Sequence, residues 1–275
     1  MGNCEQLCTP LEAAPLSEIE QASSFNVQFP VKAAVDAKLK QISNKPPVKV
    51  SEGSLYTGEG YYDQLGTFIR DGVGKIKWAD GSVYEGQWSQ DAAEGYGRLF
   101  HADGDVYEGY WVANKAEGYG EFAKANGLEK YWGDWRHDCQ EGTGKERFLD
   151  GSVYEGAYLK GQRHGHGRLE YPDGSVYQGL FQNAVCSGLG EYIWPDGKRF
   201  KGNWHENHMN GHGEVFYPDG SHFKGEYLAN KRHGPGRFRE ANGQSYDVLY
   251  VNGELIDPPL DAIDTRLLVS SVDKQ

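Results

Sequence analysis

From residue 56 to about residue 250 the chain repeats one short pattern of apolar and polar positions. Tyr84, Gly86 and Trp88 alternate with Glu85 and Gln87; after a short connection, Gly95, Gly97 and Leu99 alternate again. A period of two belongs to a strand with one packed face. The opening element, an aromatic two residues before a glycine, recurs at Tyr56/Gly58, Tyr84/Gly86, Tyr107/Gly109, Tyr131/Gly133, Tyr154/Gly156, Tyr177/Gly179, Phe200/Gly202 and Phe223/Gly225. The steps are 28, 23, 24, 23, 23, 23 and 23 residues. A ninth start at Tyr246 carries Val248 where glycine is expected. A further aromatic position follows at Trp88, Trp111, Trp135, Tyr158, Phe181, Trp204, Tyr227 and Tyr250.

Two more elements keep the same register. Gly-x-Gly begins at Gly72, Gly95, Gly118, Gly142, Gly165, Gly188, Gly211 and Gly234, and an Asp-Gly or Asn-Gly pair closes each unit, from Asp80-Gly81 to Asn242-Gly243. Both residues of such pairs tolerate positive φ, so a tight turn is expected there. A unit of 23 residues then holds two strands and two connections, with no room for a helix of ordinary length. Glycine weakens a strand interior unless space is needed. The expectation is that each glycine column lets a large aromatic side chain lie flat across the backbone. The fold class is therefore all-β: an elongated, twisted single-layer antiparallel sheet of tandem β-hairpins, roughly 75–80 Å long at ~4.8 Å per strand. A unit cannot bury its apolar face alone, so stability comes from its neighbours. Two irregularities stand out. Unit one has an extra segment from Tyr61 to Arg70, expected to bulge from its hairpin, and unit four has Glu146 at an otherwise apolar position.

Outside the array, residues 1–50 form an N-terminal tail, residues 51–250 the ribbon and residues 251–275 a C-terminal cap or tail. In the tail Val31, Val35, Leu39 and Ile42 share a helical stripe behind Pro30, and Pro46-Pro47 breaks the chain before the array. The stripe is expected to cover the exposed first hairpin, because a repeat array needs capped ends. The alternative is an amphipathic helix lying on a lipid surface. At the other end, the degenerate ninth unit is a candidate cap or homodimer contact, since edge strands invite pairing.

The unit, for example YEGAYLKGQRHGHGRLEYPDGSV at residues 154–176, resembles the MORN repeat, and the resemblance covers about 195 of 275 residues. It implies an elongated antiparallel sheet of hairpins. It also implies a scaffold at membranes, in cytoskeletal assemblies or in cilia and flagella, with phospholipid binding and dimerisation as further associations. Some members of that family carry a kinase or methyltransferase domain, for which the remaining residues here are too few.

The chain opens Met1-Gly2-Asn3-Cys4, which resembles dually acylated peripheral membrane proteins. Gly2 is the candidate acceptor for myristate, and Cys4 and Cys8 are candidates for palmitate, although Gln6 stands where Ser or Thr is usual. One myristoyl chain binds membranes only marginally, so a second signal is needed. The expected location is the cytoplasmic side of a membrane, in a cortical cytoskeleton or a cilium.

Composition narrows the field. With 38 glycines, 18 Tyr, 11 Phe and 7 Trp, the chain is too aromatic for a disordered linker. No apolar run approaches the length of a membrane span. The formal net charge of −12 argues against nucleic acid as a partner. Acids exceed bases by eight over residues 56–150, whereas bases exceed acids by one over 151–245. Within that second stretch Lys198, Arg199, Lys201, Lys224, Lys231, Arg232, Arg237 and Arg239 form a candidate patch for anionic lipid or a partner. Its histidines, such as His164, His166 and His212, are spread over different units, and no metal or other cofactor is expected. Identical residues in unit after unit point to architecture rather than catalysis. The reading is a non-enzymatic structural scaffold for structural or cytoskeletal proteins. The alternatives are a phospholipid-binding module using the basic C-terminal repeats and a ciliary or flagellar structural component.

Overall fold

The computed structural model describes residues 31–256. They contain one helix, α1 (Lys32–Ile42), and nineteen strands, and they fall into two compact units that divide between Arg163 and His164. In the first unit β1 (Val48–Ser51), β2 (Ser54–Tyr62), β3 (Phe68–Lys77), β4 (Val83–Ser89), β5 (Ala92–Phe100), β6 (Val106–Val112), β7 (Lys115–Ala123), β8 (Lys130–Arg136), β9 (Cys139–Arg147) and β10 (Val153–Leu159) succeed one another, each antiparallel to the last. The second unit repeats the scheme from β11 (Gln162–Glu170), whose first two residues precede the division. It continues through β12 (Val176–Gln182), β13 (Val185–Ile193), β14 (Arg199–His205), β15 (His208–Phe216), β16 (His222–Leu228), β17 (Lys231–Arg239), β18 (Ser245–Val251) and β19 (Glu254–Ile256). Among the described residues the protein is all-β apart from α1, built of tandem antiparallel hairpins as the periodicity implies.

The two glycines of each Gly-x-Gly do different jobs. The second is the spacer. Gly86, Gly97, Gly109 and Gly120 stand opposite one another on successive strands, and the Tyr84 ring lies across Gly86 and Gly97. The first, such as Gly95 at φ +79°, sits where the register slips between Gly86 and Trp88, a bulge that needs a left-handed residue. The rings above the glycine row form an edge-to-face zigzag. Tyr84 meets Trp88 at 4.9 Å and Trp111 at 5.3 Å, and Tyr107 meets Trp111 at 5.0 Å and Trp135 at 5.1 Å. Each such pair adds about 0.5–1.5 kcal/mol beyond its burial. Polar edges are satisfied: Tyr84 donates to the Gln87 carbonyl at 3.0 Å and Trp111 Nε1 to the Gly97 carbonyl at 3.2 Å. A single sheet thereby buries tyrosine completely, because the backbone beneath the ring has no side chain.

The turns divide into two kinds. At the Asp-Gly pairs only glycine takes positive φ, as at Gly81 (+94°), while Asp80 Oδ1 accepts from Ser82 N at 2.9 Å. The pairs are therefore turns, as expected, but the aspartate acts through its side chain. The opposite connections are two-residue turns with both residues left-handed, such as Gln90–Asp91, Ala113–Asn114 and Asn183–Ala184. Several of these are latched to the preceding hairpin. Ala93 N donates to Asn114 Oδ1 at 2.8 Å while Asn114 N donates to the Ala93 carbonyl at 3.0 Å, and Cys186 with Asn207 repeats the arrangement.

The extra segment of unit one does not bulge. It lengthens both strands of the first hairpin, with Gly60 opposite Arg70, Tyr61 opposite Ile69 and Tyr62 opposite Phe68. Helix α1 lies on the sheet face opposite the rings. Val35 is buried against Tyr96, with Val31, Leu39, Val73, Tyr110 and Tyr119 around them. The stripe thus covers the sheet, as expected, but across several hairpins: eleven residues span about 16 Å, or some three to four strand spacings. At the far end, Tyr246 is half exposed and stacks on Phe238 at 5.5 Å, and Val248 is itself buried opposite Gly236. No ring needs its Cβ to be absent.

Candidate functional site

On the face that carries α1, the residue after each opening aromatic and the residue after each second glycine line up across the strands. In the first unit this row starts at Thr57 and continues through Lys75, Glu85, Arg98, Glu108, Glu121, Trp132, Lys145 and Glu155. Signs alternate through its first part, and Arg98 bridges Glu85 at 2.9 Å and Asp36 of α1 at 2.6 Å. The alternation fails at Glu108 and Glu121, which face each other as like charges. Helix α1 supplies the missing cation there, since Lys32 pairs with Glu108, which also accepts from the Tyr96 hydroxyl. Burial works to raise the Glu108 carboxyl, but the hydrogen bonds from Lys32 and Tyr96 outweigh it and hold it below the usual carboxylate range. Glu121, which burial and then Glu108 push upward, lies above that range. Lys38 adds a third tie, to Glu59 at 2.9 Å. The helix is therefore fitted to this face by charge as well as by its apolar stripe.

The second unit carries the same row as Arg168, Gln178, Glu191, Lys201, Glu214, Lys224, Arg237 and Asp247. Five of the eight residues proposed from sequence as a basic patch fall on or beside it, and four of them lie against acids. Arg199 lies 3.5 Å from Glu191, Lys224 2.5 Å from Glu214 and Arg237 2.8 Å from Asp247, and Lys201 stands between Glu191 and Glu214 in register. The fifth, Arg239, is exposed at the end of β17. Lys198 sits over the Trp194 ring at 4.0 Å, and Lys231 is exposed beside a turn. Arg232 is on the ring face, 4.2 Å from the centroid of Phe223 and hydrogen-bonded to the Tyr217 and Tyr250 hydroxyls. The eight residues therefore share no surface of a single sign. Gly2, Cys4 and Cys8 lie outside the described residues.

Glu146 occupies the ring face of unit four, where it accepts from the Tyr158 hydroxyl at 2.7 Å. Burial lifts its carboxyl above the usual range, against the pull of Tyr158 and Arg163. A raised folded-state value means that its contribution to stability is complete below the unfolded value and is lost as pH rises through the folded one. Glu146→Gln, which keeps an acceptor for Tyr158, is expected to raise the melting temperature at pH 7.5 and to leave it unchanged at pH 4. Thermal melts over that range, read beside an exposed Glu→Gln variant worth at most about 0.5 kcal/mol, check this; equal gains at both pH values would contradict it.

Sequence reasoning missed the charged row and the latched turns. The first was visible in principle in the residues beside the glycines, once the register was known. Among the described residues no group of three His, Cys, Asp or Glu side chains could hold a metal ion, and no helix is long and apolar enough to cross a membrane.

The MORN repeat family matches residues 69–83, 84–106, 107–129, 154–176, 177–199, 200–222 and 223–245, which is more than half of the chain, and the protein belongs to that family. The unmatched gap contains Glu146. No curated protein matches by sequence. Among solved structures, the chain is similar to the TCP10 domain of Danio rerio CPAP, at 15% identity and a TM-score of 0.42, covering 77% of this chain and 98% of that one. The same domain in complex with a peptide of Danio rerio STIL gives 15% identity and a TM-score of 0.43, over 77% and 97%. The SAS-4 (dCPAP) TCP domain of Drosophila melanogaster, in complex with a proline-rich motif of Ana2 (dSTIL), gives 16% and 0.31, over 74% and 94%.

Proposed function

We propose that the protein is a non-enzymatic scaffold that presents its repeat surface to structural or cytoskeletal proteins, held at the cytoplasmic side of a membrane by acyl chains on Gly2 and Cys4, with Cys8 as a further acceptor. One observation carries the scaffold reading: the repeated residues are accounted for by architecture. The aromatics and second glycines build the seam, the first glycines and Asp-Gly pairs shape the backbone, and the charged row knits the strands. Function is then a matter of surface, and α1 illustrates what that surface holds: an amphipathic helix of complementary charge. The pairing of bases with acids in the second unit favours protein partners over a lipid-reading stripe.

The anchor is tested in cells. Gly2→Ala is expected to release the full chain from membranes to the soluble fraction, because without the first acyl chain Cys4 rarely reaches a membrane-bound acyltransferase. Cys4→Ser is expected to leave weak, exchanging association. Cell fractionation with a cytoskeletal extraction of each form, and mass spectrometry of the N-terminal peptide, read the result. A Gly2→Ala form as firmly membrane-bound as wild type would remove the anchor.

A further inference from the structure

The first hairpin differs from every other in length, and the difference is confined to its tip. Beyond the bulge at Gly58–Gly60, β2 and β3 continue together through Tyr62 and Phe68 into a five-residue loop, Asp63–Thr67. The lengthened part projects roughly 10 Å. Its strands carry apolar or aromatic side chains on both faces, while Asp63, Gln64 and Thr67 accompany Leu65 in the loop. Tyr62 packs on Phe68 at 5.1 Å on one face, Tyr61 stands opposite Ile69 on the other, and Leu65 sits in the loop between them. Leu65 is 90% exposed, Tyr62 64% and Tyr61 50%.

We propose that this tip inserts into the interfacial zone of a lipid bilayer, as a contact separate from the N-terminal acyl chains. Three features fit that occupant. First, the order of side chains is right: an aliphatic apex, then a collar of aromatics whose rings suit the headgroup boundary. Second, the loop closes its own backbone. Asp63 Oδ1 accepts from Leu65 N at 2.9 Å and Thr67 N at 2.8 Å, Gly66 N donates to the Asp63 carbonyl at 3.1 Å, and Asp63 N to the Thr67 carbonyl at 2.9 Å. Four of the loop's five amides are thus bonded within the loop, which lowers the cost of leaving water, and the loop's carboxylate is tied to two of them. Third, depth is limited. Arg70 bonds Asp91 and stacks on Trp88 at 4.0 Å, a polar girdle at the base of the projection. The projection matches the ~5–10 Å burial of interfacial elements. A protein groove is a poorer match, since a stable interface needs about 800 Å² from each partner and recognises one face. A narrow wedge apolar on both sides offers neither.

The wedge is braced for insertion. Phe68 also packs on Tyr56 at 5.7 Å, and Tyr56 on Trp88 at 5.8 Å, so the ring seam of the sheet runs unbroken into the tip.

The inference rests on the membrane setting proposed above, but its test uses the full chain produced without acylation, so that its failure is distinct from failure of the acyl anchor. The probe is flotation with phosphatidylcholine vesicles, with and without phosphatidylserine, at low and high salt. At high lipid concentration a minor fraction of the wild-type chain is expected to float with pure phosphatidylcholine, independent of salt, a contact too weak to hold the unacylated chain on membranes in cells. The double variant Tyr62→Asp/Leu65→Asp is expected to lose at least five-fold of the floated fraction with an unchanged melting curve. Val112→Asp, at an exposed apolar site at the end of β6, is expected to float as wild type does. A wild-type chain that does not float, or equal flotation of the double variant, overturns the proposal. So does flotation that requires phosphatidylserine and fades with salt, because it assigns the contact to surface bases instead.

Discussion

Gly190→Val is expected to destabilise the second unit by roughly 3 kcal/mol, the upper part of the usual range for overpacking, although valine is the better strand former. A Cβ on Gly190 would stand 2.7 Å from Cε2 and Cζ of Tyr177. The ring has nowhere to go. It is fully buried, its hydroxyl donates to the Leu180 carbonyl at 2.9 Å, and it is wedged 5.1 Å from Phe181 and 5.1 Å from Trp204. Moving it would open the zigzag on both sides, so the loss should spread to the neighbouring hairpins, as nearest-neighbour arrays require. Gln178→Val is the matched control, on the opposite face of the adjacent strand, and is expected to stay within about 0.5 kcal/mol of wild type. Circular-dichroism melts compare the two, and hydrogen exchange maps the spread. Equal melting temperatures would remove the steric account of the glycine row.

Val35→Asp is expected to free helix α1 from the sheet while leaving the hairpins folded. Val35 is the buried centre of the contact with Tyr96, and an unpaired carboxylate there costs several kcal/mol at the extreme. An eleven-residue helix has little stability of its own once undocked. Amides of residues 32–42 should therefore exchange at nearly unprotected rates, while those of β8 to β10 keep wild-type protection. Lys32→Ala, which leaves the apolar contact but removes the cation beside Glu108, should show a smaller loss confined to the first turn of the helix. Protection of residues 32–42 that survives Val35→Asp would mean that the ion pairs alone hold the helix, and the packing argument would fail.

How much of this was legible follows from which contacts are local. The hairpins, their order and the ring–glycine seam were readable, because each strand pairs with the next in sequence and Tyr84 covers the glycine thirteen positions on. Periodicity records such contacts directly. The division of labour within Gly-x-Gly was not readable, since Gly95 and Gly97 are alike as letters and differ only in φ and in what lies above them. The fate of the Tyr61–Arg70 segment depended on whether its residues found partners across the hairpin, and Tyr62 with Phe68 did.

The sequence by itself determined a tandem array of antiparallel hairpins with an apolar helical stripe ahead of it, and membership of the MORN family followed from the same letters. Tertiary structure decided the rest. It set which face α1 covers and how far it reaches, because Lys32 meets Glu108 and Asp36 meets Arg98 across 76 and 62 residues of chain. It decided that Lys224 and Arg237 of the second unit sit against acids, because cross-strand register brings Glu214 to Lys224 and Asp247 to Arg237. It also decided that Arg232 is enclosed by rings while Leu65 stands in solvent. A one-dimensional pattern carries alternation and period, but charge pairing and exposure depend on which strand lies alongside, and that is fixed only when the chain folds.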